Sequence, residues 1–397
     1  MHKQKILFIN IKYSQGGAAV IAKFLYQHFK TGHDVEYIYG YGKRGKYDPN
    51  TKGENVYMIS GKCNFILNKI SYNLFGRDLF TFNRNKIKQL IQDADIVHLH
   101  AIHSHFINDS FLIHLLIKYK KKIIWTFHDS WAFTGRCAIP YSCNGYLYGC
   151  SKCKVKDNYI KTFCKLNKYN YKRKKKLFLQ IPEDKLVIVT PSKWLADSCR
   201  ETFFNKYPIK SIPNGIPLER YSFKQKNDLN SLNILFIANY VNDPVKGAEF
   251  FYRLVSSFPE ITFNAIGYYD ESCPTYPNLN YLGYISDTDT ITNCFHKSHL
   301  TVFFSVYDNY PTVILESLAT GTPVLSFRGK GNQEIFEGIN YPYLINDFDF
   351  ESACKIITSL KKADDIEEYK SVSLLGRKQV ERNNDILLMC KKYSQLI

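Results

Sequence analysis

The chain has 397 residues, 45% of them hydrophobic and 22% charged, which excludes a disordered chain, a collagen-like repeat and a small disulfide scaffold. At roughly 150 residues per domain, this length suits two domains, each able to bury a core. The net charge of +17 is unevenly spread: residues 1–212 hold 36 basic and 14 acidic side chains, whereas residues 213–397 hold 17 and 22. A basic N-terminal half calls for an anionic partner: a phosphate-bearing ligand, an acidic membrane surface or nucleic acid.

Apolar runs such as Ile6 to Ile11 and Leu112 to Ile117 are too short to span a bilayer. The opening MHKQKILFINIKYSQGG turns polar too early for a secretory signal. The expectation is a cytoplasmic protein whose eleven cysteines stay reduced or hold a metal.

In chain order, Lys5 to Asn10 reads as a buried parallel strand and Ala18 to Phe29 as the helix after it. Asp34 to Tyr39, Asp95 to His100, Lys121 to His128 and Leu186 to Thr190 are further strands, because each is a continuous apolar run. The pattern then restarts. Ile234 to Ala238 is a strand and Gly247 to Phe258 a helix. Ile261 to Ile266, Leu300 to Phe304 and Val324 to Phe327 are strands, and Val313 to Thr320 is a short helix. Two β/α series predict two doubly wound α/β domains. The expected division is a domain over 1–212, a Pro- and Gly-containing linker over 213–222, a domain over 223–380 and a C-terminal helix over 381–397 that packs back on the first domain.

Ligands of open α/β sheets bind beyond the carboxyl ends of the strands, so the loops there are the candidates for chemistry. In 11–18 (IKYSQGGA), Gly16 and Gly17 open a helix whose free N–H groups suit an anion; a plain strand-to-helix turn uses the same residues. In WTFHDSWAFT (125–134), His128 ends a strand beside Asp129, placed to donate to a phosphate or sugar hydroxyl or to act as a base. His98, His100, His103 and His105 follow another strand. Cys137, Cys143, Cys150 and Cys153 have the spacing C-x5-C-x6-C-x2-C, which suits a structural zinc; free buried thiols are the alternative. In NYVNDPVKG (239–247), Lys246 precedes a helix and is a natural phosphate clamp. In DNYPTVILESLATGTPV (308–324), Asp308 lies in a loop and Glu316 on the second turn of the helix that follows. A carboxylate on that helix suits ribose hydroxyls, and one in the loop suits sugar hydroxyls.

These segments together resemble the retaining, nucleotide-sugar-dependent glycosyltransferases of family four, whose GT-B fold has two Rossmann-like domains facing a central cleft. The resemblance rests on QGGAA (15–19), HDSWAFTG (128–135), TPSKWL (190–195), IPNGI (212–216), VKG (245–247) and the 308–324 segment. It extends to a subgroup that assembles bacterial capsule, exopolysaccharide or O-antigen and carries the same cysteine cluster.

The resemblance implies that Gly16 and Gly17 lie near the donor diphosphate and His128 near the donor sugar. Lys246 would neutralise the leaving diphosphate, Asp308 would contact the transferred sugar and Glu316 would bind ribose. Asn309, Tyr310, Pro311, Thr312 and Val313 would line the phosphate, and Tyr284 and Ile285 would flank the base. It implies no catalytic metal, and the Asp287–Asp289 stretch reads instead as a helix N-cap.

Three positions depart from the family pattern. Asp308 stands where Glu is usual. Asn239 stands where an Arg usually pairs with the lysine, so either Arg220 or Arg328 substitutes or the lysine and helix dipoles hold the diphosphate alone. Gln333 and Glu334 replace a usual Pro-Glu.

The acceptor domain of this family is the N-terminal one. Its charge suits a lipid-diphosphate-linked saccharide at the inner face of an anionic cell membrane, reached through Lys118 to Lys122 and Lys165 to Lys176. Within the second run, Lys172, Arg173, Lys174, Lys175 and Lys176 are the candidate contacts, with Tyr169, Tyr171 and Phe178 at interface depth. A transferase with a soluble acceptor and a non-catalytic nucleotide-sugar-binding relative are the alternatives. Nucleic acid is not expected, because no motif for it is present.

Overall fold

The computed structural model describes residues 3–42, 46–52, 54–153, 159–160, 162–362 and 366–397. The chain divides into two compact units, Met1–Ile212 with Cys390–Ile397, and Pro213–Met389. The first holds strands β1 (Lys5–Asn10), β2 (Asp34–Tyr39), β3 (Val56–Met58), β4 (Ile96–Leu99), β5 (Lys122–Thr126), β6 (Leu186–Thr190) and β7 (Ile209–Ser211). They form one parallel sheet in the order β3-β2-β1-β4-β5-β6-β7. Its helices are α1 (Gly17–Phe29), α2 (Lys62–Phe75), α3 (Arg84–Asp93), α4 (Asp109–Lys118), α5 (Asn167–Phe178) and α6 (Lys193–Arg200).

The second unit repeats the plan with β8 (Asn233–Tyr240), β9 (Thr262–Tyr268), β10 (Leu279–Gly283), β11 (Leu300–Phe303), β12 (Val324–Phe327) and β13 (Leu344–Ile345). The order is β10-β9-β8-β11-β12-β13, again parallel. Its helices are α7 (Ala248–Ser257), α8 (Thr288–Lys297), α9 (Thr312–Ala319), α10 (Phe350–Lys362) and α11 (Ile366–Asn383), and α12 (Ile386–Ser394) carries the chain back toward the first unit. Each unit has its own large core, one around Leu7, Val97, Trp125 and Ile188, the other around Ile234, Phe236, Val302 and Leu325. The central strands are buried on both faces, which is why they read as continuous apolar runs.

Every expected strand is present, with each end within two residues of its expected place; β8 and β9 run two residues further at their carboxyl ends, and β5 stops at Thr126, leaving His128 in the loop beyond. Asp287 does cap α8, accepting from Thr290 N at 2.8 Å. The stretch 213–222, expected as a linker, is fastened into the second unit. Ile216 N donates to Asn384 O and Ile386 N to Ile216 O at 2.9 and 3.0 Å.

Strand order reverses between β1 and β4 in one sheet and between β8 and β11 in the other. These are the topological switch points, where loops diverge and leave a crevice at the strand ends. Among the described residues no helix is long and apolar enough to cross a membrane.

Candidate functional site

In the second unit, Lys246 follows β8 and Asp308 follows β11, so the switch point brings together two residues 62 positions apart. Lys246 Nζ meets Asp308 Oδ2 at 2.5 Å, both side chains partly exposed. Local geometry explains the placement. Pro244–Lys246 form a 3-10 turn capped by Asp243, whose Oδ1 accepts from Val245 N at 2.9 Å. Gly247 then takes φ 78°, and a Cβ there would stand 2.5 Å from Phe304 O, so the turn requires glycine.

The Asp308 loop is held from both sides. Gly331 N donates to Asp308 O at 3.1 Å. Asn214 Nδ2 donates to Tyr310 O at 2.9 Å, and Asn384 Nδ2 bridges Asn214 O and the Tyr310 hydroxyl. The IPNGI segment is therefore a brace for this loop. Tyr310 itself takes φ 67°, and Pro311 starts α9 without a side-chain cap. The first N–H groups of α9, at Thr312 and Val313, come four and five residues after Asp308, and the start of a helix suits an anion. One turn further, burial raises the Glu316 carboxyl to about 7, opposed by hydrogen bonds from Thr312 and Tyr221.

Other expected donor residues divide. Asn239 is exposed near the end of β8, within a register shift between Ile237 and Tyr240. Tyr284 is 40% exposed and stacks on Tyr268 with centroids 4.5 Å apart and planes 2° from parallel. Tyr240 lies against Tyr268 at 5.5 Å. Tyr284 was singled out from the sequence, but Tyr240 and Tyr268, which complete this row of tyrosines, were not, although they are the last residues of β8 and β9. Ile285, partly buried, packs against Leu235, Ile266 and Phe295. Arg328 is exposed directly after β12, and Arg220 ends a 3-10 turn.

In the first unit, Gly16 (φ 89°) and Gly17 open α1 with no side-chain cap, and a Cβ on either meets nothing within 4 Å. The loops after β4 and β5 form a second cluster around a small cavity lined by His100, His103, His128, Asp129 and Trp131. His100 Nδ1 and His128 Nε2 are 2.9 Å apart. His98 stacks on His100 at 4.3 Å, and His100 on His128 at 5.2 Å. Burial lowers His128 to about 4 and His98 to about 3, and pushes His100 far below its ordinary value, so the stack is neutral at pH 7. His103 Nε2 meets Asp129 Oδ2 at 2.8 Å. Burial raises the Asp129 carboxyl, but His103 and the Trp131 N–H outweigh it and hold the group below the usual carboxylate range.

The four cysteines border one cavity. Gly135 N donates to Cys150 Sγ at 3.1 Å and Gly145 N to Cys143 Sγ at 3.4 Å, and burial raises the Cys150 thiol to about 11. Among the described residues, no three His, Cys, Asp or Glu side chains converge to hold a metal ion.

The basic run needs correction. Lys172, Lys175 and Lys176 are exposed, but Lys174 is 1% exposed, its ammonium over the Trp131 ring and bonded to Trp131 O. Burial lowers it to about 7. Arg173 grips both oxygens of Asp109 at 2.9 and 2.6 Å. Tyr171 and Phe178 are buried too. The reason is helical period: α5 turns Tyr171, Lys174, Leu177 and Phe178 inward. In the other run, Lys121 Nζ bonds Gln92 O and Ala94 O, and Lys122 Nζ bonds Ile397 O.

Comparison with known proteins gives the family. Residues 15–220 match the family model "Glycosyltransferase Family 4", and residues 231–362 match "Glycosyl transferases group 1". A glycosyl transferase named for colanic acid biosynthesis, WcaC of Escherichia coli (strain K12), is 24% identical over 347 residues, covering 84% of this chain and 85% of its own. The processive diacylglycerol alpha-glucosyltransferase of Acholeplasma laidlawii is 26% identical over 157 residues, covering 35% of this chain and 47% of its own. The crystal structure of Anabaena Alr3699/HepE in complex with UDP-glucose shares the fold, with a TM-score of 0.67 at 12% identity over 99% of this chain and 98% of that one. With one family model spanning more than half its length, two parallel α/β units and a lysine–carboxylate pair at a switch point, the chain belongs to glycosyltransferase family 4.

Proposed function

We propose that the protein transfers a hexosyl group from a UDP-sugar, with a GDP-sugar as the second choice, to a lipid-diphosphate-linked or growing polysaccharide acceptor, with retention, in bacterial surface polysaccharide synthesis. The observation that carries the reading is the Lys246–Asp308 pair, its aspartate four residues before the start of α9, with Glu316 one turn on. In the proposed reaction the bond between the anomeric carbon and the diphosphate breaks. The acceptor oxygen bonds to the same face, and its proton passes to the departing diphosphate. Lys246 and the α9 N–H groups stabilise that developing charge. Asp308 accepts from a sugar hydroxyl, and His128, a neutral imidazole, hydrogen-bonds the sugar. Tyr284 on Tyr268 offers a stacking face to the base. Support for the UDP donor is the UDP-glucose in the HepE structure, and support for a membrane acceptor comes from the diacylglycerol-using relative and the basic first unit.

The test is calorimetric and thermal. A panel of nucleotides and nucleotide sugars should raise the melting midpoint selectively for one base, by mass action, and Glu316→Ala should abolish the shift. Because Glu316 titrates near 7 and ribose hydroxyls need its ionised form, affinity should strengthen as pH rises through 7. The limit is about tenfold per pH unit below that value. Glu316→Gln should remove the excess pH dependence. A folded protein that no nucleotide shifts overturns the proposal.

A further inference from the structure

The helix α2 is built inside out. Its buried side chains are Asn64, Asn68, Ser71 and Tyr72. Asn64 Nδ2 donates to Ser60 Oγ and Phe106 O at 2.8 and 2.9 Å. Asn68 Nδ2 donates to Phe80 O at 3.0 Å, and its Oδ1 accepts from Phe80 N at 2.8 Å. The outward stripe is Ile66, Ile70 and Leu74, 53%, 52% and 62% exposed at a spacing of four, flanked by exposed Leu67 and Phe75. A stable apolar stripe facing outward on a hydrogen-bonded helix marks an interaction surface.

The stripe is continued by a second segment. Thr162 Oγ1 donates to Tyr72 O and Asn170 Nδ2 to Phe75 O, both at 2.9 Å. These bonds join the end of α2 to residues 162–170, which expose Phe163 (92%), Leu166 and Tyr169. Segments 59–77 and 162–180 together contain ten lysines and arginines and no acidic residue. Lys62, Lys69, Lys165, Lys168 and Lys172 are exposed among the apolar side chains.

We infer that this face, α2 with residues 163–172, docks on an anionic lipid bilayer, the apolar stripe entering the headgroup boundary and the lysines meeting acidic headgroups. Charge selects this occupant. In a symmetric pairing with a second copy, the same patch meets itself, which would set lysines against lysines with no carboxylate to answer them. The inference rests on the membrane-acceptor part of the proposed function and gives it a location other than the whole basic run.

The experiment is cosedimentation of the full chain with phosphatidylglycerol and with phosphatidylcholine vesicles at low and high salt, with nucleotide-induced melting shifts in parallel. The expected result is salt-sensitive binding to the anionic vesicles. Ile66→Ser/Ile70→Ser/Leu74→Ser should weaken it at least tenfold, and Lys69→Gln/Lys165→Gln/Lys168→Gln should lessen its salt dependence. Both should leave the melting shift with UDP unchanged, and Lys175→Gln/Lys176→Gln should bind as the parent does. The inference is overturned if the parent ignores anionic vesicles, if the serine variant binds equally well, or if that variant converts a dimer to a monomer. Vesicle binding without any nucleotide shift would sink the donor reading alone; a nucleotide shift without vesicle binding would sink the docking face alone.

Discussion

Lys246 and Asp308 form the ion pair on which the proposed chemistry turns, yet both side chains are partly in water. A pair so placed contributes about 1 kcal/mol or less to stability, whereas a lysine aimed at a leaving diphosphate contributes far more to rate. Lys246→Ala should therefore shift the melting midpoint little and lower kcat by about 100- to 1000-fold. Asp308→Asn removes the partner that holds the ammonium. If the two act as a unit, the double variant should be hardly slower than Lys246→Ala alone. Fully additive losses in that cycle would show separate roles. The placement of Lys246 and Asp308 in loops beyond strands, and of Glu316 on the helix that follows, was legible in the sequence, because strand, turn and helix start are local patterns. The packing of Ile285 on Leu235 and Phe295 was not, because which way a loop side chain turns depends on contacts that no local pattern encodes.

At the scale of elements, the ends of β4 and β5 carry three stacked histidines held neutral by burial. Their folded values lie below the ordinary 6.5, so the unfolded chain binds the extra protons as acid is added. Stability is then fully present above about 6.5 and is lost as pH falls toward 4, at roughly 1.4 kcal/mol per pH unit for each neutral imidazole. Melting midpoints between pH 7.5 and 5 should fall accordingly, and His100→Phe, which keeps a ring in the stack, should flatten the slope. A midpoint independent of pH over that range would contradict the burial argument. Helices α2 and α5 show that residue type alone does not set which face is buried. Both carry a regular pattern, but in α2 the asparagines find partners inside, and in α5 Lys174 finds the Trp131 ring and carbonyl. A polar residue faces the interior when a partner waits there, and those partners come from Phe106, Phe80 and Trp131, which are distant in sequence.

For the whole molecule, the last residues decide part of the first unit's stability. Cys390–Ile397 belong to that unit. The Tyr393 ring lies 5.5 Å from His98, and its hydroxyl meets Thr126 Oγ1 at 3.1 Å. Tyr393→Ala should cost about 3 kcal/mol, read as a fall in the denaturant midpoint of unfolding, while Leu387→Ala, on an exposed side chain of the same helix, should cost little. Equal effects would show that the contact is dispensable. The two β/α series and the strands themselves follow from composition and period alone, since a strand buried on both faces must be apolar throughout. Meetings between distant segments do not: Lys246 with Asp308, Asn214 with Tyr310, His100 with His128, and the end of α2 with Thr162 and Asn170. They depend on which strands lie side by side and which loops close over them. Hydrophobic pattern sets which segments become buried strands; strand order and side-chain packing set what each residue touches and, at Asn64, Ile70 and Lys174, whether it is buried.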